Sequence, residues 1–315
     1  MKNSLNRRGF IASSGLALAV ASPNGLVAAA PERQIIDIHQ HPGFKGRPDD
    51  KVLAHQRAMG ATMSFILPAG TPAKLPSTND GRTNGLAAGC SPAEAALELA
   101  RANPKAIRFF ANEAPDHPDA KMNLEKFLKL GAIGIGEQKF KLPIDSKPML
   151  AVYDIAKEFG VPVLMHFQHG AYNLGIERFH KILEKYPTVN FVGHAQTFWG
   201  NIDGNHVQTA MYPMGKVKPG GISDRLLSDY PNMYGDHSAG SGRNALVRDE
   251  VHATEFLRRH QDKLMFGSDC YDTLGRGPSC RGAGLLKTLE QLAPTKSVLR
   301  KILFGNANRL FRLKA

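Results

Sequence analysis

The sequence is poor in cysteine and tryptophan. Its 315 residues include three cysteines, Cys90, Cys270 and Cys280, and one tryptophan, Trp199. No two cysteines form a Cys-x-x-Cys pair, which disfavours a cysteine zinc site. Cys270 and Cys280 are close enough in sequence to form a disulfide in an oxidising compartment. Whether the disulfide forms depends on the geometry of the two side chains, which their spacing in the sequence does not determine.

Long apolar runs are also scarce. Residues 11–20 form the longest candidate, and this run is too short and too rich in Ala, Ser and Gly to span a bilayer stably. It follows the pair Arg7-Arg8, which is typical of a twin-arginine leader, and it precedes three alanines at 28–30 that fit a cleavage site. We expect residues 1–30 to be a signal peptide read by the twin-arginine export machinery. The mature protein would be periplasmic or otherwise exported, without stable membrane insertion.

The chain carries more positive than negative charge, with 40 Lys and Arg residues against 28 Asp and Glu. Lys2, Arg7 and Arg8 lie in the predicted leader, which leaves 37 basic residues against 28 acidic ones and a net charge of +9. No recognition-helix pattern or aromatic-interleaved basic ribbon accompanies the charge, so a nucleic-acid partner is not expected. The excess favours a basic surface or an anionic small-molecule substrate. Association into a homo-oligomer is compatible with this composition.

After residue 30, short apolar runs alternate with amphipathic segments. Eight strands are predicted, at residues 35–41, 62–67, 107–111, 132–140, 161–167, 189–194, 233–237 and 264–269. Helices are predicted between them, including one long helix at 245–259, and long loops are predicted at 68–89, 195–221 and 270–284. No linker divides residues 31–315. The pattern therefore predicts one α/β domain, a (β/α)8 TIM barrel.

Side chains that commonly bind metals fall at the C-terminal ends of these predicted strands, where a barrel carries its chemistry. They are His39 and His41 in the first strand, Glu137 in the fourth, His166 in the fifth, His194 in the sixth and Asp269 in the eighth. His39 and His41 are expected to point to one face, because side chains alternate along a strand. Imidazole and carboxylate donors suit a divalent first-row metal such as Zn²⁺.

In these motifs the sequence resembles the amidohydrolase superfamily, and within it the amidohydrolase-2 branch that includes the aminocarboxymuconate-semialdehyde decarboxylases. The resemblance is carried by Asp37-Ile38-His39-Gln40-His41, by His166 and His194, by Gly267-Ser268-Asp269, and by a terminal segment containing Gly305-Asn306-Ala307.

The resemblance implies that His39, His41, His166 and Asp269 hold the metal. It implies that His194 polarises the substrate or takes part in acid–base steps. Members of the superfamily use either a carboxylated lysine or a glutamate on the fourth strand, so Glu137 or Lys139 could contribute there. We favour Glu137, whose carboxylate needs no modification, and leave open whether one ion or two are bound.

These groups predict a metal-dependent hydrolase that activates water to attack an amide, an ester or a lactone. Asp269 would carry the proton, and His194 would stabilise the developing oxyanion. One alternative is a non-oxidative decarboxylase or lyase on the same barrel, with a loop cation to hold the substrate carboxylate. Candidates for that cation are Lys74, Arg82, Arg243 and Arg276. A second alternative is a non-catalytic exported barrel that binds metal.

Three residues are predicted to bind the substrate. Trp199 would form an apolar wall, Tyr172 would line the mouth of the pocket, and Arg243 would supply positive charge. His237 ends the seventh strand and is predicted to support or line the site. The remaining histidines on predicted helices are expected at the surface; they are His55, His180, His252 and His260.

Overall fold

The computed structural model describes residues 34–70 and 89–313. The predicted signal peptide and the candidate cations Lys74 and Arg82 lie outside the described residues. Within the described ranges, no helix combines the length and the apolar character needed to cross a membrane.

Eight parallel strands are present in the described part of the chain. In chain order, β1 to β8 span Ile36–Gln40, Met63–Ile66, Ile107–Phe109, Ile135–Gln138, Val163–His166, Phe191–His194, Met233–His237 and Leu264–Phe266. Strands β1 to β3 pair in sequence order, and so do β4 to β8. Consecutive parallel strands joined by helices are the arrangement of a βα barrel.

Backbone hydrogen bonds join the two sets of strands at both seams. Between β3 and β4, Ala111 donates to the carbonyl of Gly134 at 2.9 Å, and Gly136 donates to the carbonyl of Ala111 at 2.8 Å. Between β8 and β1, Asp269 donates to the carbonyl of His39 at 2.8 Å. The strands therefore close into the predicted (β/α)8 barrel.

Twelve α-helices occur in the described residues. In chain order, α1 to α12 span Asp50–Met59, Ala93–Ala102, Ala120–Lys129, Lys147–Phe159, His180–Lys185, Ala195–Gly200, Ile222–Asp229, Ala239–Val247, Glu250–Arg259, Arg281–Leu292, Lys296–Arg300 and Asn306–Leu310. A π-helical turn, Lys301–Gly305, joins α11 to α12.

The single long helix predicted at 245–259 is wrong, because α8 ends at Val247 and α9 begins at Glu250. Asp249 separates them with a non-helical φ of −153°, and its side chain accepts a hydrogen bond from the backbone N–H of His252. A carboxylate that caps a new helix start in this way favours a break over a continuous helix. The loop predicted at 195–221 also begins with a helix, α6.

Apolar side chains pack in two layers. The larger layer lies between the strands and the surrounding helices, and Phe191 and Phe256 are among its members. The smaller layer fills the barrel interior, where Phe65 packs edge-on against Phe311 with ring centroids 4.8 Å apart. Full burial of each such side chain stabilises the fold by roughly 1.5–3 kcal/mol.

The C-terminal segment is fixed at the end of the barrel opposite the predicted site. The buried side chain of Asn306 donates to the carbonyls of Gln261 and Leu264, at 2.7 and 2.8 Å, and Leu264 begins β8. Phe304 and Phe311 join the interior layer from the same segment. The terminal Gly-Asn-Ala motif therefore closes the barrel and does not contribute to the site.

Candidate metal centre

β1 brings His39 and His41 to the C-terminal rim through a break in its pairing. The partners of Asp37 and Gln40 on β2 are only two residues apart, so β1 carries one extra residue between them. An extra residue reverses the alternation of side chains between the two faces of a strand. Ile36 can therefore face the barrel interior at the start of the strand while His39 and His41 face it at the end.

β4 has the same kind of irregularity before Glu137. Ile135 and Gln138 pair with residues of β5 that are two positions apart, which again leaves one extra residue. A Cβ atom on Gly136 would lie 2.9 Å from the carbonyl oxygen of Leu164, so this close approach requires glycine. Glu137 follows with its side chain buried in the centre of the rim.

β5 and β6 end side by side on His166 and His194, which are paired in register. Asp269 follows β8 with a φ of +43°, a left-handed conformation that is unfavourable for a residue with a Cβ atom. The hydrogen bond from its backbone to His39 holds this turn closed against β1. The side chain of Asp269 is 16% exposed, so the carboxylate reaches the open side of the site.

Four of the predicted ligands, His39, His41, Glu137 and Asp269, converge on one point, whereas His166 contacts Glu137 and Gln168. Nε2 of His39 lies 3.2 Å from Nε2 of His41, and the latter lies 3.5 Å from both Glu137 Oε2 and Asp269 Oδ1. Nε2 of His194 lies 3.7 Å from Glu137 Oε1 and 3.9 Å from Asp269 Oδ2. These separations bring residues from four strands within reach of a shared ion.

Glu137 lies between two pairs of imidazoles. Its Oε2 faces His39 and His41, whereas its Oε1 lies 2.5 Å from Nδ1 of His166 and 3.7 Å from Nε2 of His194. Oε2 is therefore placed to hold an ion together with His39 and His41, whereas Oε1 is engaged in a hydrogen bond with His166.

The ring nitrogens that face away from the centre are fixed by hydrogen bonds. Nδ1 of His39 lies 2.6 Å from Oδ2 of Asp236, and Nδ1 of His41 lies 2.6 Å from the carbonyl oxygen of Leu67. A carbonyl oxygen only accepts, so Nδ1 of His41 donates and its Nε2 carries a lone pair. Metal-binding histidines usually make this outer contact, which sets the tautomer and the ring orientation.

Asp236 and Ser238 were not among the residues predicted from the sequence. The buried carboxylate of Asp236 accepts from Oγ of Ser238 at 2.9 Å, and the same hydroxyl lies 2.8 Å from Nδ1 of His194. Neighbouring side chains in a strand point to opposite faces, so Asp236 faces the barrel interior if His237 faces the helices. This alternation along β7 could have identified Asp236 from the sequence. His237 lies in the layer of helices and does not line the site.

The donor set fits a divalent cation. Two imidazole lone pairs and two carboxylate oxygens face one another, and Oδ1 of Asp269 is buried with no hydrogen-bond partner among the described residues. Such a cluster is electrostatically unfavourable unless a cation lies among its members. Two metal–nitrogen bonds of ~2.1 Å place the nitrogens about 3.0 Å apart at a right angle and about 3.4 Å apart at the tetrahedral angle, and the 3.2 Å between His39 and His41 lies between these values.

Burial and neighbouring charges set the protonation of the centre. Burial raises the pKa of Glu137, but Lys139 and His166 outweigh this and hold it well below its ordinary value. Burial is the main cause that lowers the pKa of His194 well below its ordinary value. Glu137 is therefore ionised, the state in which a carboxylate can bind a cation.

A cavity of about 190 Å³ opens above the metal centre. Three cationic side chains line it; they are Lys45, Lys139 and Arg281. Lys45 and Arg281 both lie over the ring of Tyr271, 4.3 and 5.3 Å from its centroid. Polar groups of Gln168, Gln196 and Tyr212 complete the wall.

Trp199 does not form the predicted apolar wall of the pocket. Its side chain is buried behind β7, where it stacks on His237 with ring centroids 3.9 Å apart. Its Nε1 donates to the carbonyl of Asp236 at 2.9 Å. Trp199 therefore fixes the strand that supplies Asp236. The prediction failed because the position of a residue along the loop does not reveal which side of the rim its side chain faces.

The other two predicted substrate-binding residues have different placements. Tyr172 packs edge-on against His166, with ring centroids 5.4 Å apart, and lies beneath the ammonium of Lys139 at 5.5 Å, but it does not line the cavity. Arg243 donates to Oγ1 of Thr288 on α10 and is not among the residues that line the cavity. Substrate binding by Arg243 therefore has no support from this placement.

Three of the four histidines expected at the surface are buried. They are His55, His252 and His260, whereas His180 is half-buried. Nε2 of His260 lies 2.7 Å from Oδ1 of Asp224, which explains how a polar ring is accommodated between helices. The expectation failed because a histidine on the inner stripe of an amphipathic helix is buried like any apolar residue.

A family model described as "Amidohydrolase", the amidohydrolase-2 model, matches residues 36–313. The chain belongs to the amidohydrolase family. The enzymes of this family are metal-dependent hydrolases and decarboxylases, and this chain is accordingly a metal-dependent enzyme. No curated protein matched the sequence.

Solved structures with similar folds were also found. An uncharacterized TIM-barrel protein from Bordetella bronchiseptica is 16% identical with a TM-score of 0.60, over 89% of this chain and 98% of that chain. A putative 2-pyrone-4,6-dicarboxylic acid hydrolase from Pseudomonas putida is 17% identical with a TM-score of 0.60, over 90% and 99%. The 5-carboxyvanillate decarboxylase of Sphingomonas paucimobilis is 16% identical with a TM-score of 0.54, over 89% and 99%. At these identities the likeness establishes the barrel fold alone.

Proposed function

We propose that this protein is a hydrolase of a small ester, lactone or amide that carries a carboxylate, with Zn²⁺ at its metal centre. The observation that carries the proposal is the position of the centre at the base of a cavity lined by Lys45, Lys139 and Arg281. Nitrogen and carboxylate donors around an accessible position suit catalytic zinc. Three cations at the wall suit an anionic substrate.

The divalent ion would supply Lewis acidity, which lowers the pKa of water towards neutrality. Burial opposes ionisation of Asp269, but His39 and His41 hold the pKa of its carboxyl well below its ordinary value, so it is ionised. Being partly exposed as well, it can accept the proton of an attacking water and return it to the leaving group. His194 directs Nε2 into the same space and can polarise the substrate carbonyl. Lys139 and Arg281 would orient the substrate by binding its carboxylate.

A non-oxidative decarboxylase is the second candidate. The same three cations favour it, because decarboxylation also requires a substrate carboxylate to be held in place. The names of two structural neighbours correspond to these two reactions, a hydrolase of a pyrone dicarboxylic acid and a decarboxylase of carboxyvanillate. Both names denote carboxylic acid substrates, which supports an anionic substrate in either case.

The test is product analysis with the zinc-loaded protein in ¹⁸O-labelled water. The panel contains carboxylate-bearing lactones, esters and amides, together with aromatic acids. The proposal expects one ¹⁸O atom in the product and no carbon dioxide, with activity lost in Asp269→Asn. Release of carbon dioxide without ¹⁸O incorporation would establish the decarboxylase instead.

A further inference from the structure

A second group of metal-binding side chains lies behind the rim, outside the candidate metal centre. Sγ of Cys270 is 3.9 Å from Sγ of Cys280, which is 3.4 Å from Nε2 of His55. All three side chains are buried, and one donor atom from each lies within 4.8 Å of the others. They come from α1, from the residue after Asp269, and from the residue before α10.

We propose that His55, Cys270 and Cys280 form a second metal site, which takes an ion that prefers thiolate ligands, with Zn²⁺ as the probe. Two Zn–S bonds of ~2.3 Å at a tetrahedral angle place the sulfurs about 3.8 Å apart. A Zn–S and a Zn–N bond place their donors about 3.6 Å apart. Both separations are close to those that the structure shows.

The sulfurs are not bonded to each other; a disulfide would hold them at ~2.05 Å. Sγ of Cys280 accepts the backbone N–H of Ala283 at 3.4 Å, whereas Cys270 and burial raise the pKa of this thiol, so an ion must displace its proton. Nδ1 of His55 has no hydrogen-bond partner among the described residues, so the ring proton moves to this buried nitrogen when Nε2 binds an ion. With these proton shifts, each of the three donors presents a lone pair to the ion.

The site would clamp the loop that borders the substrate cavity. Cys270 directly follows Asp269, and Cys280 directly precedes Arg281, which lines the cavity. A Cβ atom on Gly275 would lie 2.2 Å from the carbonyl oxygen of His55, so the middle of the loop is pressed against α1. An ion shared by the loop and α1 would fix both ends of the loop relative to the barrel.

The experiment uses the full-length protein, freed of metal under reducing conditions and then given Co²⁺ in place of Zn²⁺. Thiolate ligands to Co²⁺ produce a near-ultraviolet charge-transfer band, which the nitrogen and oxygen donors of the catalytic centre do not produce. We expect this band in the wild type. It should fall to background in Cys280→Ser and persist in the matched control Cys90→Ser, which removes a buried cysteine elsewhere.

Two further measurements decide the remaining cases. Zinc-edge X-ray absorption of the wild type should show sulfur neighbours at ~2.3 Å, which tests the site even where a variant does not fold. Elemental analysis of the purified protein distinguishes Zn²⁺ from Cu⁺, which shares the preference for thiolates. The proposal is overturned if the wild type lacks the band, or if the unreduced, denatured protein has one free thiol instead of three, which would indicate a Cys270–Cys280 disulfide.

Discussion

Oδ2 of Asp236 lies 2.6 Å from Nδ1 of His39, in a pair that is fully buried beneath the metal centre. The carboxylate makes Nδ1 the donor and leaves Nε2 to face the ion. Removing its charge weakens this orientation and lowers the basicity of the ligand. We therefore expect Asp236→Asn to reduce metal affinity by roughly 10- to 100-fold while the fold is retained.

This expectation is checked by titrating Zn²⁺ against a competing chelator for the wild type and the variant. Asp224→Asn is a matched control, since Asp224 is also a buried aspartate paired with a histidine but lies between helices. An Asp236→Asn variant with unchanged zinc affinity would remove Asp236 from its positioning role.

The four histidines of the centre should separate into two classes. Replacing His39, His41 or His166 by Ala should lower bound metal and activity together, because each is proposed as a ligand. His194→Ala should keep most of the metal and still lose rate, because His194 is proposed to polarise the substrate. Elemental analysis alongside rate measurements tests both classes. If His194→Ala loses metal as completely as His39→Ala, then His194 is a ligand and two ions are favoured.

Asp269 is proposed both to bind the metal and to carry the proton. Asp269→Asn keeps an oxygen donor but removes the base, so activity should fall more steeply than metal content. The loss of a general base typically costs ~10²- to 10⁴-fold in rate. Rate and metal content that fall in equal proportion would limit Asp269 to a ligand role.

The sequence predicted the barrel, and it identified candidate ligands that the fold brings to one rim, because both depend on local patterns. A strand that ends in His-x-His or in Ser-Asp can be identified from a few adjacent residues. The extra residue in β1 could not be predicted, because it depends on pairing with β2 across the sheet. The group of His55 with Cys280 was missed for the same reason, since 225 residues separate them and no spacing motif connects them.

His237 should make stability depend on pH. Burial lowers the pKa of this histidine from its usual 6.5 to about 3, although the carbonyl of Gly242 acts in the opposite direction. The folded state therefore prefers the neutral ring, whereas the unfolded chain takes up a proton below pH 6.5. The contribution of His237 to the free energy of unfolding is complete above that pH and is lost as the pH falls towards 3. At pH 5 the part that has been lost is about 2 kcal/mol.

The measurement is the unfolding free energy at pH 5 and pH 7.5 with the metal concentration held fixed. His237→Asn should reduce the difference between the two pH values by about 2 kcal/mol. His180→Asn, which removes a half-buried histidine on α5, controls for the loss of a histidine as such. An equal pH difference in the wild type and His237→Asn would show that His237 is not the responsible group.

Lys139 and Glu137 lie two residues apart at the end of β4, and the structure separates their roles. Glu137 is among the imidazoles, whereas Lys139 lines the cavity with its ammonium over the ring of Tyr172. We expect Glu137→Gln to lose metal. Lys139→Met should keep the metal and lower kcat/KM for a carboxylate substrate by ~10- to 150-fold. This range corresponds to the loss of about 1.5–3 kcal/mol, which is typical of a hydrogen bond to a charged group. Most of this loss should appear in KM, and an uncharged amide analogue of the substrate should be affected little.

Had Lys139 been a carboxylated ligand, Lys139→Met would lose metal as Glu137→Gln does, and this outcome would transfer the fourth-strand ligand from Glu137 to Lys139.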